Sequence, residues 1–375
     1  MNRIRTSLLP TALLLTQASA ALASTTWYVN GLTGSDSNTC LASQAPCKTI
    51  GHAISRSSSG DSIRVAAATY AENIIIASSL NLIGSGASTT IIEGGRAYSV
   101  VSVSTVGSVV SISNVTIRNG FYGVERVGWV EVSGAGIFNG GILTINNSTV
   151  SGNISVTGGG ISNFGTLTLN NSTVSGNIAD CEIFLCGGGA GGGIYNFVGG
   201  TLAINNSTIT GNRAGMAMSR FHSAGGGIAN DGILAISNST ISGNGAGIGG
   251  GIVGVATLQN SILANNFNFS GFSSSGNCHG SVSSIFSLSS DNTCDLDGPG
   301  DLDNTDPKLG TLGYYGGPTQ TIPLLSGSRA IDAGNPSGCT DQKGHLLKTD
   351  QRGLPRPDQE DKGGCDMGAY ERQSD

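Results

Sequence analysis

Five times between Gly134 and Asn266 the chain repeats one pattern: a glycine cluster, three short aliphatic segments and two asparagine turns. The copies open GAGIFN at Gly134, GGGISN at Gly158, GGGIYN at Gly191, GGGIAN at Gly225 and GGGIVG at Gly249. Their second halves read NNSTVSGN at Asn146 and at Asn170, NNSTITGN at Asn205, SNSTISGN at Ser237 and QNSILANN at Gln259. The shortest unit is 24 residues, too few to bury an apolar face alone, so the copies must stack. In the second copy Ile161, Leu167, Leu169 and Val174 sit in three short runs separated by Asn163-Phe164-Gly165 and Asn170-Asn171-Ser172. Strands of three to five residues joined by Gly and Asn turns give a three-sided, all-β coil. Parallel stacking then pairs each strand with its counterparts about 4.8 Å above and below. A helical repeat is excluded, since no segment holds a 3.6 period for two turns and glycine interrupts each one.

Two asparagine columns follow from the repeat. Asn139, Asn163, Asn196 and Asn230 fall at one corner, and Asn147, Asn171, Asn206, Asn238 and Asn260 at another. Asparagine tolerates left-handed backbone, and its amide can bond turn peptides or the next asparagine of the stack. Several are also Asn-Ser-Thr sequons; the ladder is preferred over glycosylation as their reason. Looser apolar pairs upstream, from Ile63 and Val65 to Ile112 and Ile117, extend the solenoid to about eight coils over 61–267, a rod of roughly 40 Å. An open first coil exposes strand edges. A short helix over Thr49–Ser57, with Ile50, Ala53 and Ile54 on one face, is expected to cap it.

Only 11% of residues are charged and 60 of 375 are glycine, yet Ile and Leu return in phase, which excludes a flexible linker. Residues 1–23 read as a signal peptide, with Arg3 and Arg5, an apolar run from Leu8 to Leu15 and a small-residue site ending at Ala23. Export to the extracellular space or cell surface is therefore expected. Its loss leaves 16 of the 18 basic residues against 24 acidic, a net charge of −8, with no basic footprint for nucleic acid. No later segment is long and apolar enough to span a bilayer. Eight cysteines in an exported chain imply disulfides, paired by proximity as Cys40–Cys47, Cys181–Cys186, Cys278–Cys294 and Cys339–Cys365. A zinc site is the weaker reading, because the cysteine spacings are irregular and no histidines accompany them at zinc-ligand spacing.

The opening stretch, WYVNGLTGSDSNTC, APCKTIGHAIS and GDSIRVAAATYAENI, resembles secreted bacterial right-handed parallel β-helix proteins of the pectate-lyase superfold. The GGGI-x-N, NST and SGN coils look like bacterial surface β-helices, including polymorphic outer-membrane-protein repeats. The C-terminal motifs are similar to the choice-of-anchor Q domain: GNCHG, DLDGPGDLDNTDPKLGTLGYYGGPTQTIPLLSGSRAIDAG, TDQRGLPRP and CDMGAYE. These resemblances imply a single-stranded right-handed β-helix over 61–267, an N-terminal cap over 24–60 and an irregular disulfide-stapled C-terminal region over 268–375. Relatives with the last domain often continue into an anchor. Here the chain stops soon after Glu371 without one, so free secretion is expected alongside surface association.

Between Val100 and Phe267 most ionisable residues gather in three longer connections, 121–133, 178–190 and 213–224. All three leave the coil after the Gly-Asn corner, so stacking should project them from one edge as a single lobe. Tyr122, Glu125, Arg126, Trp129, Glu131, Asp180, Glu182, Arg213, Arg220 and His222 are its candidate binding residues. Aromatic rings can cover a sugar face while charged groups hold its hydroxyl edges. The plain alternative is loops that pack on one another with ordinary surface ion pairs. No catalytic residue is assigned: four acids in the lobe could serve glycoside hydrolysis, or acids with calcium and an arginine base a lyase reaction, but spacing cannot establish either geometry.

Asp291, Asp295, Asp297, Asp301, Asp303 and Asp306 crowd a Gly/Pro-rich segment. Asp295, Asp297, Asp301 and Asp303 are candidate ligands for a structural calcium ion; solvated turn acids are the default, and no other cofactor is expected. The remaining C-terminal charges, including Asp350, Arg352, Arg356, Asp366 and Glu371, are expected to hold the cap to the last coil. The expectation is thus an exported, noncatalytic, monomeric β-helix binding a polysaccharide or cell-surface partner through its loop lobe. A polysaccharide lyase or hydrolase, and a plain spacer, are the alternatives.

Overall fold

The computed structural model describes residues 24–95, 98–121, 134–180, 189–215, 225–269, 276–341, 343–358 and 364–373. Within them the chain winds as a right-handed parallel β-helix. Each coil contributes one strand to each of three long sheets, of eight, ten and nine strands, taken in that order along the coil. In the second repeat these strands are Ile161–Asn163, Thr166–Asn170 and Thr173–Ser175. A fourth, five-stranded ladder of two-residue strands, which the repeat pattern did not signal, follows the third sheet.

Eight complete coils run from Ile74 to Ser289 among the described residues. The stack therefore continues past the expected boundary at Phe267, through strands Cys278–His279, Val282–Ile285 and Leu288–Ser289. This last coil lacks both the glycine cluster and the NST turn, so its serine-rich sequence concealed it.

Register places like residues in columns. Inside, Ile63, Leu82, Ile112, Ile145, Leu169, Ile204, Ile236 and Leu258 stack in the second sheet. Val101, Ile137, Ile161, Ile194, Ile228 and Ile252 stack in the first. Almost all are fully buried, so one continuous aliphatic core fills the rod. The glycine clusters lie where coils approach too closely for a side chain. A Cβ on Gly193 would stand 2.6 Å from the Gly227 carbonyl oxygen.

The asparagine at the first corner forms the expected ladder. Each amide donates to the next side-chain oxygen at 2.7 Å, from Asn139 through Asn163 and Asn196 to Asn230. A second, longer ladder occupies the Gly-Asn corner: Asn153, Asn177, Asn212, Asn244, Asn266 and Asn277 are linked in sequence at 2.9–3.0 Å. All six are buried, and each of the first five also satisfies a strand carbonyl two coils' worth of packing would otherwise strand from water. The remaining column, Asn147 to Asn260, adopts left-handed backbone with φ of 45–50°.

The N-terminal helix spans Ile50–Arg56, its first turn capped by Thr49, and buries Ile50 and Ala53 on the opening coil. The disulfides Cys40–Cys47, Cys278–Cys294 and Cys339–Cys365 are formed as expected; Cys181–Cys186 lies outside the described residues.

The C-terminal region departs from a cap on the last coil alone. Its first part does close the end, with Leu296 entering the core and Leu302 bridging Leu288. The rest folds back along the outside of the third sheet. There Thr173, Thr208, Thr240 and Ile262 face outward in one column, yet all are buried beneath it. The Gln351 amide donates to Thr173 Oγ1, Thr319 Oγ1 and the Gln320 carbonyl, and its oxygen accepts from Thr208 Oγ1. The left-handed asparagines reach sideways to the same region: Asn206 donates to the Thr349 carbonyl and Asn238 to that of Thr340. Those two sequon amides are thus buried and engaged, leaving no room for a glycan.

Buried charge completes this junction. Arg356 donates from Nε to Glu371 Oε2 and from Nη1 to Asn206 Oδ1, while Arg352 pairs with Asp350. Burial pushes the Glu371 carboxyl up to about 8 against the pull of Arg356, and Asp366 adds to the rise.

Candidate functional site

The fourth ladder positions the three long connections. Ile154, Ile178, Arg213, Gly245 and Phe267 are successive partners in it. Phe121 bridges Ile154 in parallel, and Thr157 bridges Ala190. The roots of the three connections therefore line one edge, at Phe121, Ile178 and Arg213: the last two leave adjacent coils about 4.8 Å apart, and the coil of Ile154 stands between the first two. Of the ten candidate binding residues, Asp180 and Arg213 are brought to this edge. Tyr122, Glu125, Arg126, Trp129, Glu131, Glu182, Arg220 and His222 lie outside the described residues.

Arg213 is exposed and held in place by an aromatic pair. Its guanidinium carbon stands 4.4 Å from the centroid of the Phe269 ring. Phe269 in turn meets Phe267 edge-on, with centroids 5.1 Å apart. These rings lie over Gly245, where a Cβ would come within 2.6 Å of Phe269 and 2.8 Å of Phe267. The missing side chain between Arg213 and Phe267 in the ladder is thus what lets ring and cation meet. One coil back, the exposed Asp180 carboxylate rests against Gly215, where a Cβ would stand 2.1 Å from Oδ1.

A guanidinium stacked at the surface gains about 0.5–1 kcal/mol and loses rotamer freedom in advance of binding. Its remaining N–H donors form a planar fork suited to a carboxylate, sulfate or phosphate. Phe267, half exposed beside it, offers apolar surface. Phe267, Phe269 and Gly245 were not singled out by composition. The register that makes Phe267 the second ladder partner from Arg213 was the only available signal.

The acidic segment is organised by its own turns. Asp301 accepts from Ser287 N–H through Oδ1 and from Gly298 N–H and Ser284 Oγ through Oδ2. Asp295 and Asp297 are exposed. Burial raises the pKa of Asp303, and neighbouring Asp291 and Asp295 raise it further. Among the described residues these acids do not gather their oxygens within 4.8 Å of one another; the one such group is Cys40, Cys47 and His52, whose two sulfurs are joined to each other. No helix among the described residues is long and apolar enough to cross a membrane.

No family model and no curated protein matches the chain. Among solved structures it is similar to pectate lyase Pel9A, at 16% identity and a TM-score of 0.49, over 94% of this chain and 98% of that one. It is also similar to pectin methylesterase from Aspergillus niger, at 18% identity and a TM-score of 0.43, over 74% and 90%. Pectin methylesterase PemA from Erwinia chrysanthemi aligns at 14% identity and a TM-score of 0.40, over 73% and 80%. These values describe a shared course of the chain and no more.

Proposed function

We propose that this chain is an exported, noncatalytic β-helix that binds a polysaccharide or a cell-surface partner through its loop-bearing edge. The observation that carries the reading is the alignment of three loop roots along one edge, within four successive coils, beside a guanidinium stacked on Phe269. A rigid rod with insertions at one edge is a usual way to present a binding surface. Arg213 supplies an anion-holding fork and Phe267 an apolar contact, so an acidic glycan or an acidic cell-surface group suits the described part of the edge. The C-terminal region is read as a choice-of-anchor Q-like module, and residues 1–23 as the export signal.

A glycan array run with the full chain and with Arg213→Ala tests this, alongside reducing-end and unsaturated-product assays on acidic polysaccharides. Binding that falls at least about 10-fold in the variant, with no product formed, is the expected result. Product formation would instead establish a lyase or hydrolase. Binding indifferent to Arg213 would place the contact elsewhere, and no binding at all would leave a spacer.

A further inference from the structure

We infer that the corner between the first and second sheets is a self-complementary interface at which two copies of this chain pair antiparallel. The first residue of each second-sheet strand faces outward there. Register stacks Val109 on Ile142, Ile142 on Thr166, Thr166 on Thr201, and Thr201 on Ile233. The asparagine ladder extends the column by one. Asn139, Asn163, Asn196 and Asn230 donate in turn to the carbonyls of Thr166, Thr201, Ile233 and Val255. The column therefore reads Val, Ile, Thr, Thr, Ile, Val along the rod. Ser79 precedes it, accepting from the Val109 N–H, and Ser281 follows, its carbonyl accepting from Ala256 beside Val255.

That order is the same from either end. A two-fold axis between Thr166 and Thr201, perpendicular to the rod, sets Val109 against Val255 of a second copy and Ile142 against Ile233. It also sets the turn residue Phe164 against Phe197 and Val198. An isologous interface requires such self-matching, and few surfaces of a five-fold repeat with unequal copies would provide it by chance.

The surface exposed is large enough. Val106 is 89% exposed, Val198 82%, Ile233 67% and Val255 66%, with Val109, Ile142 and Phe164 exposed between them. Together these side chains present roughly 800 Å² per copy, the share that one partner brings to an interface of standard size. The aromatic rings here use their faces on one another: Phe164 stacks on Phe197 at 3.9 Å, and Tyr195 covers the other side of Phe197 at 3.9 Å. Ring edges are left outward, which suits apolar packing better than a sugar face. No ionisable side chain stands in the column. Asp231, in the turn before Ile233, accepts from the Tyr195 hydroxyl at 2.6 Å. Antiparallel pairing sets it opposite the Gly140–Gly141 turn of the partner, not against its own copy. A dimer is thus proposed where the sequence alone suggested a monomer.

The test is the mass of the full chain in solution, by analytical ultracentrifugation and light scattering between 1 and about 100 µM, with folding checked by circular dichroism. Wild type is expected to dimerise. Ile142→Glu and Ile233→Lys alter exposed positions and each buries unpaired charge in the pair, so each alone should weaken association at least about 30-fold. Mixed together, they should restore a one-to-one heterodimer, because the carboxylate of Ile142→Glu in one copy meets the ammonium of Ile233→Lys in the other. A monomer at every concentration overturns the proposal. So does a dimer indifferent to both substitutions, or one weakened by each but not restored on mixing, which would mean another register. Adsorption of a monomeric wild type to lipid vesicles or glycans through this corner would assign it to that occupant and also overturn the dimer.

Discussion

Removing one rung of the buried asparagine ladder should cost several kcal/mol, and Asn212 is the rung to remove. It is 1% exposed. Its Oδ1 accepts from the Asn177 backbone N–H at 3.0 Å and from Asn177 Nδ2 at 2.9 Å. Its Nδ2 donates to Asn244 Oδ1 and to the Val174 carbonyl, both at 3.0 Å. In Asn212→Ala the Asn177 N–H loses that acceptor in a dry interior, a cost of about 1–3 kcal/mol. Asn177 Nδ2 keeps only the Val150 carbonyl, and Asn244 Oδ1 keeps the backbone N–H of residue 212. With the cavity left by the amide, the total loss should be about 3–5 kcal/mol. Asn212→Asp should cost more, since it aims oxygen at two oxygens. The half-exposed ladder of Asn146, Asn170 and Asn205 is the control. Asn170→Ala deletes two links of similar length, at 2.9 and 3.0 Å, but water replaces them, so under about 1 kcal/mol is expected. Urea unfolding followed by far-ultraviolet circular dichroism measures both, provided that the slopes agree, because a stacked array can unfold in parts. Equal losses at Asn212 and Asn170, or a loss below 1 kcal/mol at Asn212, would refute the view that burial makes the ladder strong.

The junction of cap and rod should respond to pH through Glu371. Its folded pKa, near 8, exceeds that of an unfolded glutamate, so its protonation supports the fold below about pH 4.5, and the support fades as pH rises through 8. Unfolding midpoints recorded from pH 5 to 8 should decline in wild type and level out in Glu371→Gln; an unchanged slope would rule Glu371 out as its source. Gln351→Ala leaves the buried Thr208 hydroxyl and the Gln320 carbonyl without that partner, and should lower stability by about 2–3 kcal/mol while raising proteolysis within the C-terminal region. Replacing Cys339 and Cys365 by serine opens a loop of 26 residues and should cost about 3.5 kcal/mol by chain entropy, read from the same unfolding curves. Gly245→Val should displace Phe269 from Arg213 and reduce glycan binding as much as Arg213→Ala does, at nearly unchanged secondary structure.

The coils were legible because each obeys a local rule. Period-two burial, left-handed asparagine and close-packed glycine each leave a residue type at a fixed offset, and copying them five times made the signal plain. The C-terminal docking was not legible, because Gln351 and Thr208 lie 143 positions apart and meet through geometry that no local pattern encodes. Thr173, Thr208 and Thr240 occupy the outward positions of alternating strands, and only the overlying chain makes them interior. The edge that carries the loops was readable as a place, since insertions at one phase of a repeat must share a side. Its Arg213–Phe269 contact was not, because it depends on an absent side chain at Gly245 as much as on the two residues that touch.

The lateral course of the C-terminal region turns it into a ruler. Thr319 reaches the coil of Asn171, Arg356 that of Asn206, Ala369 that of Thr240, and Asn335 that of Asn260, four coils in unbroken succession. Each contact fits only if the number of coils between its neighbours is unchanged. A solenoid built by copying units can otherwise gain or shed one wherever the stack allows. Here that freedom ends at Asn171: a coil inserted before it would lengthen the rod without disturbing the junction, whereas one inserted after it would throw every later contact out of step by a full strand spacing.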